Sequence, residues 1–458
     1  MSLELTDWDQ DLPSQAEEEY QALVRTLNFT EGFGLLFVRC SPAGGEQLIT
    51  NVQADISNKN IQVLRLDKAV NNLYKIIDNL DNKVEINILF ITGLEHSFYE
   101  YEECKSLHGW QSKDIYSYSW KGVPPVLINL NQQRERLKDN FNICFVFLLP
   151  IFAIKYFIQR APDFFDWRSG LFEFPLDSET LEQESSRVIQ EVDYDRYLTL
   201  APEERTKEIL RIQELIAEDN QTPEQQCDLL INLGRLYSAG QDYKEAIASY
   251  DKALEIKPDK HEAWNNRGIA LRNLGRNEEA VASFDKALEI QPDDAIAWYS
   301  RGIALKNLGR YEEALTSIDK SFEFKSDDYY SWKWRGIVLS ALDKYEEALT
   351  SLDKALEFEI NDDFHYAWNY RGYVLENLGR NEEAIASYDK ALEFKPDYHE
   401  AWYNKACYYA LQCNIEQTLE NLQQAINLNP DEYRESAKTD SDFDNIRHDK
   451  RFQALIQG

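Results

Sequence analysis

The chain has 458 residues, with 81 acidic against 49 basic side chains, and a formal net charge of -32. A surface this acidic repels nucleic-acid backbones and anionic membranes, so neither is expected as a partner and a neutral or basic protein is. The length exceeds what one hydrophobic core usually serves, and 13% aromatic content is too high for a disordered chain, so two or more folded domains are expected.

Residues 1–175 read as an α/β domain. Met1–Gln10 is polar and acidic, unlike a secretory leader. Gln15–Leu27 has helical periodicity, and apolar runs at Leu35–Val38, Ile61–Leu66, Ile86–Thr92 and Ile143–Leu149 predict four strands, with Gly170–Phe174 as a fifth. Helices are expected over Ala69–Leu80 and Ile151–Arg160, and Pro124–Leu137 reads as starting extended and becoming helical. Strands apolar throughout, alternating with helices, predict a mostly parallel sheet covered on both faces. Phe141–Ile158 is eighteen mostly apolar residues, near the lower limit for a membrane span, but Asn142, Pro150 and Lys155 divide it as a buried strand and its covering helix would be divided.

This order of elements, with Ile128–Arg136, Phe145–Leu149 and Ala161–Gly170, resembles the P-loop NTPase-like domain (STAND or AAA type) placed ahead of helical repeats in bacterial signalling and conflict-system proteins. A phosphate cradle needs G-x-x-x-x-G-K-[ST] directly after the first strand, to supply backbone N–H groups, a lysine and a magnesium-binding hydroxyl. The chain has Arg39-Cys40-Ser41-Pro42-Ala43-Gly44-Gly45-Glu46 instead: Gly44 and Gly45 suit a turn, no lysine follows, and Glu46 opposes a phosphate. The resemblance therefore implies a degenerate domain that scaffolds, with no catalytic residue and no cofactor. Glu95, near the place of a metal-holding acid, reads as a solvated residue capping a strand. His96 and His108 flank Cys104, but nearness in sequence does not make a catalytic pair. Six cysteines (Cys40, Cys104, Cys144, Cys227, Cys407, Cys413) lack zinc-site spacing, so no metal is expected and a reducing, cytoplasmic location is.

Residues 176–226 form a helical connector, with amphipathic stretches at Leu181–Val192 and Pro202–Ala217. Thr222, Pro223 and Gln225 spell a helix start with a capping box. The connector is too apolar for a loose linker and is expected to pack between the α/β domain and the region that begins at residue 227.

From 227 to 432 one 34-residue pattern is written six times. Leu230, Trp264, Trp298, Trp332, Trp368 and Trp402 mark the copies. A small residue follows each at plus four (Gly234, Gly268, Gly302, Gly336, Gly372, Ala406) and a large one at plus twenty (Tyr250, Phe284, Ile318, Leu352, Tyr388, Leu422). Each copy predicts two short helices crossing closely at the small residue. The frame slips once: Trp332 and Trp368 are 36 apart, and Phe364 would either protrude or fill the wider junction. Residues 433–458 carry Phe443, Ile446, Phe452, Leu455 and Ile456 on a charged background, as capping helices over the last repeat would.

The pattern resembles the tetratricopeptide repeat, which implies an all-α right-handed superhelix with the first helix of each pair lining a concave groove. At the groove positions of that family this chain has Glu262, Asn265, Arg272 and Asn273, then Tyr299, Lys306 and Asn307. Tyr330, Lys333 and Ile337 follow, then Tyr366, Asn369, Tyr373 and Asn377, and finally Tyr403. Asparagines can clamp an extended backbone and tyrosines offer rigid contact area. The column Arg267, Arg301, Arg335, Arg371, Lys405 and the paired acids Glu278-Glu279, Glu312-Glu313, Glu346-Glu347 and Glu382-Glu383 read as helix-end and inter-repeat pairing. The expected function is a non-enzymatic scaffold or regulator that captures a protein or peptide, such as a regulated effector. The alternative is a nucleotide-binding switch with an atypical pocket near Arg39–Glu46.

Overall fold

The computed structural model describes residues 15–99, 123–174, 178–190, 194–218, 221–325, 329–358 and 363–457. Cys104 and His108 lie outside them, as do Asn361 and Asp362 of the frame slip. The chain divides into two compact units, Met1–Pro258 and Asp259–Gly458.

The first unit opens with helix α1 (Gln15–Phe29) and strand β1 (Gly34–Arg39), followed by α2 (Pro42–Asp55), β2 (Ile61–Arg65), α3 (Leu73–Asp78) and β3 (Ile88–Thr92). After α4 (Pro125–Asn140) come β4 (Cys144–Leu149), α5 (Ile151–Arg160), α6 (Pro162–Phe165) and β5 (Gly170–Glu173). All pairings are parallel, in the order β2-β3-β4-β1-β5. The period of two divides each strand between two cores. Leu35, Phe37, Phe145 and Phe147 face one way, against Phe157 and Phe164. Leu36, Val38, Val146 and Leu148 face the other, against Leu23 and Leu27 of α1 and Ile49 and Val52 of α2. The Phe37 ring stacks on Phe147 at 5.2 Å and meets Phe165 at 4.8 Å. Each such ring contributes roughly 2–3 kcal/mol by leaving water.

Three expectations are corrected here. The stretch after β1 is not a turn: Ser41 accepts from the Gly44 amide at 3.1 Å and caps α2, whose first turn absorbs Gly44 and Gly45. The helix expected over Ala69–Leu80 is only Leu73–Asp78, capped by Asn72. Residues 125–140 are helical from Pro125, because proline suits a first helical position. The apolar stretch after Phe141 is strand β4 followed by helix α5, and among the described residues no helix is long and apolar enough to cross a membrane.

The connector forms α7 (Ser178–Gln190), α8 (Tyr194–Thr199) and α9 (Pro202–Ala217). The first repeat, α10 (Pro223–Ala239) and α11 (Tyr243–Ile256), belongs to the same unit. Thr222 and Gln225 form the capping box at its start, at 3.2 and 3.1 Å. Leu181, Val188 and Tyr197 pack on Ile212, Leu229, Leu233 and Leu236 in one cluster.

The second unit holds five more helix pairs. They are α12 (His261–Asn273) with α13 (Asn277–Ile290), α14 (Ala295–Asn307) with α15 (Tyr311–Phe324), and α16 (Tyr329–Ala341) with α17 (Tyr345–Leu356). Next come α18 (Phe364–Asn377) with α19 (Asn381–Phe394) and α20 (His399–Leu411) with α21 (Ile415–Leu428), then α22 (Pro430–Thr439) and α23 (Lys450–Gln457). The pairing rests on the small residue at plus four. A Cβ at Gly268 would stand 2.6 Å from the Phe284 ring, and one at Gly372 2.6 Å from the Tyr388 ring, so the helices touch there only because no side chain intervenes. Phe364 fills the junction at the frame slip: it is buried, 5.3 Å from the Tyr329 ring and 5.8 Å from that of Phe394. Phe443, Ile446, Phe452 and Ile456 cover Ala406, Ala410, Leu422 and Ile426 at the end of the array.

Candidate functional site

All the expected groove residues lie on the first helices of their pairs, with different exposure. Glu262, Asn273, Asn307, Tyr330, Tyr366, Tyr373 and Asn377 are exposed. Arg272, Tyr299, Lys306 and Tyr403 are half-buried. Asn265, Lys333, Ile337 and Asn369 are buried and offer a partner no free surface. Lys333 is 4% exposed, with its ammonium 3.3 Å from Asp363 and between 4.9 and 5.6 Å from the rings of Tyr329, Tyr330, Trp334 and Tyr366. It is an internal anchor that holds Tyr330 and Tyr366 side by side. Asn369 accepts from Asn404 at 3.0 Å, so it links neighbouring first helices.

Three other positions are committed within the chain. Tyr403 donates to Asp440 at 2.9 Å and lies against Tyr433 and Phe443. Asn377 donates back to the Tyr373 carbonyl at 2.9 Å, and Asn307 to Asn277 at 3.4 Å. Lys306 stands 5.7 Å from the Trp334 ring, and burial lowers its pKa. Lys306 and Trp334 lie together, Lys333 joins Trp334 to Tyr330 and Tyr366, the buried Tyr398 backs Tyr366 at 5.3 Å, and Tyr373 stands exposed two turns further along α18. Trp334 and Tyr398 were not among the expected positions, although both are aromatic residues close in sequence to expected ones.

The basic column acts as a set of staples. Arg301 donates to Asp285 of the preceding pair at 2.6 Å and to Ser317 of its own at 2.5 Å. Arg335 repeats this with Asp319 and Ser351, and Arg371 with Asp353 and Ser387, at 2.7–2.8 Å. Lys405 reaches Asp389 at 2.7 Å. Of the paired acids, Glu279, Glu313 and Glu383 bind Arg276, Arg310 and Arg380 two-pronged at the starts of second helices.

In the first unit, a cavity of about 420 Å³ opens at the C-terminal ends of β1, β3 and β4, closed over by α7 and α9. β1 leads off toward β2 while β4 crosses to β5, so these two neighbours form the point where strand order reverses, the usual place for a ligand crevice in an open parallel sheet. Arg39, Cys40 and Ser41 line it, but Glu46 does not: it is paired two-pronged with Arg65 at 2.9 and 2.7 Å. Glu95 is not solvated as its sequence context suggests. It is 8% exposed on the cavity wall, just past Gly93, where a Cβ would run into the Leu66 carbonyl and only glycine allows the turn. Glu214 of α9, another lining residue, accepts from the Phe152 amide, and burial pushes its pKa up to about 7. Burial raises the pKa of Glu95 as well, and lifts the Cys40 thiol to about 12. Nothing in the sequence around Glu214 distinguishes it from the other acids of its helix.

Among the described residues, the one group of three metal-type ligand atoms within 4.8 Å of each other is Cys407, Asp440 and Asp442. The protein's own Tyr403 hydroxyl already occupies Asp440, and burial raises the Cys407 pKa, which keeps the thiol protonated. Cys40, Cys144, Cys227, Cys407 and Cys413 are all free thiols.

Tetratricopeptide repeat models match residues 231–295, 283–316 and 365–398, so the helix pairs over those residues are repeats of that type. A protein prenyltransferase alpha subunit repeat model matches 345–378. A peroxisomal targeting signal receptor of Eremothecium gossypii is 33% identical over 69 residues, 15% of this chain and 12% of that receptor. Among solved structures, YrrB, described as a repeat protein of this type with an unusual peptide-binding site, is 30% identical over 40% of this chain and 93% of its own, with a TM-score of 0.33. A tetratricopeptide repeat protein from Parabacteroides merdae is 17% identical over 60% of this chain and all of its own, with a TM-score of 0.46.

Proposed function

We propose that this chain is a non-enzymatic scaffold that captures a protein or peptide on the first helices of its repeats, through the exposed Tyr330, Tyr366 and Tyr373. The carrying observation is the buried Lys333, whose ammonium sits among four rings and fixes two of those tyrosines in place before any partner arrives. A rigid aromatic side chain loses little conformational entropy on binding, and tyrosine also brings a hydroxyl for polar contact. With a net charge of -32, the partner is neutral or basic. The α/β domain, degenerate relative to the NTPases it resembles, serves as a scaffold in a cytoplasmic regulatory or defence setting, with an effector protein as the captured partner. Five free thiols suit a reducing compartment.

The nucleotide-switch alternative gains little support, since the basic residues that line the crevice, Arg39, Lys207 and Arg211, are already paired with acids, and Glu95 and Glu214 stand beside them. The test is capture of partners from native cells by the parent chain, by a Tyr330→Ala/Tyr366→Ala/Tyr373→Ala variant, and by a control altered at the second-helix residues Lys286 and Lys320. Loss of the same partner from the tyrosine variant alone, with unchanged circular dichroism and melting, supports the reading. Equal loss in the control sinks it.

A further inference from the structure

We propose that the cavity at the C-terminal ends of β1, β3 and β4 is a binding site for a small organic cation, a protonated primary amine carried on an apolar body. This inference does not depend on the groove reading.

Charge bookkeeping around the cavity leads to that class of ligand. Arg39 is held by Glu218 at 3.0 Å and Glu173 at 3.4 Å, Arg211 by Glu184 at 2.6 Å, and Lys207 by Glu203 at 2.7 Å. The basic residues of the wall are thus spent on other acids. Two carboxyls of the wall, Glu95 and Glu214, make no ion pair among the described residues, and each turns one fully buried oxygen, Oε2 and Oε1 respectively, that meets no donor there. A buried acceptor without a donor costs about 1–3 kcal/mol, and native structures keep few of them. The two acids come from different elements, the turn after β3 and the helix α9, both line the same cavity, and the charge of Glu95 adds to the burial that raises the pKa of Glu214. Each offers the cavity an acceptor oxygen that no donor among the described residues meets.

The rest of the wall sets the body of the ligand. Tyr99, Ile151, Phe152, Leu210 and Leu215 make most of it apolar. The Tyr99 ring already attracts a cation, with the Lys207 ammonium 5.4 Å from its centre. A pocket of this size, mostly apolar with a few convergent polar groups, is the usual form of a small-molecule site. An ammonium group would supply donors to Glu95 and Glu214 together while its carbon skeleton covers the aromatic wall. A phosphate or carboxylate would meet Glu95 and Glu214 while Arg39, Arg211 and Lys207 are already held by carboxylates, and no three metal-type ligand atoms among the described residues of the wall lie within 4.8 Å of one another. Because α9 closes the cavity and leads into the first repeat pair, an occupant would clamp the strand ends to α9.

The experiment uses the full chain and calorimetric titration in about 0.3 M salt, where loose attraction to the exposed acidic surface is screened to short range. The probes are phenethylamine, its neutral isostere phenethyl alcohol, the anion 3-phenylpropionate, and ATP with magnesium. The expected result is saturable binding of the amine alone, weakened about tenfold or more by Glu95→Gln and by Glu214→Gln, each of which keeps the shape of the side chain. Melting curves without ligand check that these variants fold, and the comparison of amine with alcohol on the parent chain needs no variant. No saturable amine binding, equal binding of the alcohol, undiminished binding in both folded variants, or displacement of the amine by ATP would each overturn the proposal.

Discussion

Glu214 and Glu376 sit in different units, yet burial pushes both pKa values up to about 7. Below about pH 4.5 both carboxyls are protonated folded or unfolded, and they make no difference to stability. Between that pH and 7 the folded chain keeps protons that the unfolded chain has released, so stability must fall as pH rises, and the full cost is reached above 7. At about 1.4 kcal/mol per pKa unit, discounted for partial exposure, each acid costs on the order of 2 kcal/mol at pH 8. Urea midpoints measured at pH 5.5 and 8 should therefore drop in the parent chain and drop less in Glu214→Gln and Glu376→Gln; an identical drop in both variants would refute the assignment. A second prediction concerns the turn joining the helices of each pair. The residue eleven places after each marker has a positive φ in every copy: glycine in three (Gly275, Gly309, Gly379), but Gln241, Asp343 and Cys413 in the others. A side chain in that conformation costs about 1–2 kcal/mol, while glycine returns part of the gain by freeing the unfolded chain. Cys413 is exposed, so Cys413→Gly should stabilise by roughly 0.5–1 kcal/mol, readable as a higher urea midpoint at unchanged slope.

At the scale of helices, the staples decide how pairs are joined. The Arg301 side chain is 20% exposed and binds both Asp285 and Ser317. Arg301→Ala removes both bonds and the packed stem and should cost about 1–2 kcal/mol. Arg301→Leu should cost less than about 0.5 kcal/mol, because leucine restores apolar contact and Asp285, 48% exposed, is left in water rather than buried alone. An equal loss in the two variants would mean that the charge, not the packing, joins the pairs. At the frame slip, Phe364→Ala should cost roughly 3 kcal/mol as a cavity in the aromatic junction. These helices were legible in the sequence because the same contacts recur every 34 residues: the glycine at plus four is explained by the ring that crosses it. Helix α2 was not legible, since Pro42-Ala43-Gly44-Gly45 carries turn composition and its helical start depends on the cap from Ser41. Likewise, the groove register of the family picks positions along the first helices but cannot know that Tyr329, Tyr330, Trp334 and Tyr366 would enclose Lys333. The cavity of the α/β unit was hidden for a related reason. Its two decisive acids, Glu95 and Glu214, are 119 positions apart, and only the closure of α9 over the strand ends brings them together.

Over the whole molecule, charge acts in two opposed ways, and salt separates them. The repeats hold many contact pairs such as Arg276 with Glu279 and Arg310 with Glu313 at 2.6 Å, and salt weakens such pairs. Against them stands the mutual repulsion carried by a net charge of -32, which salt also weakens. Distance decides the outcome: the screening length falls from about 10 Å at 0.1 M to about 3 Å at 1 M, so touching pairs lose little while repulsion between separate helices is largely removed. Exposed pairs are in any case worth only about 0.3–0.5 kcal/mol each. The melting temperature should therefore rise by a few degrees between roughly 20 and 500 mM sodium chloride, the shift expected for about 1 kcal/mol in units of this size. Association with a basic partner should respond in the opposite sense, its on-rate falling over the same range as the steering field is screened while dissociation from the tyrosines changes little. A melting temperature that falls with salt would show that the surface pairs, not the net charge, set the stability. A salt-independent on-rate would rule out the basic class of partner.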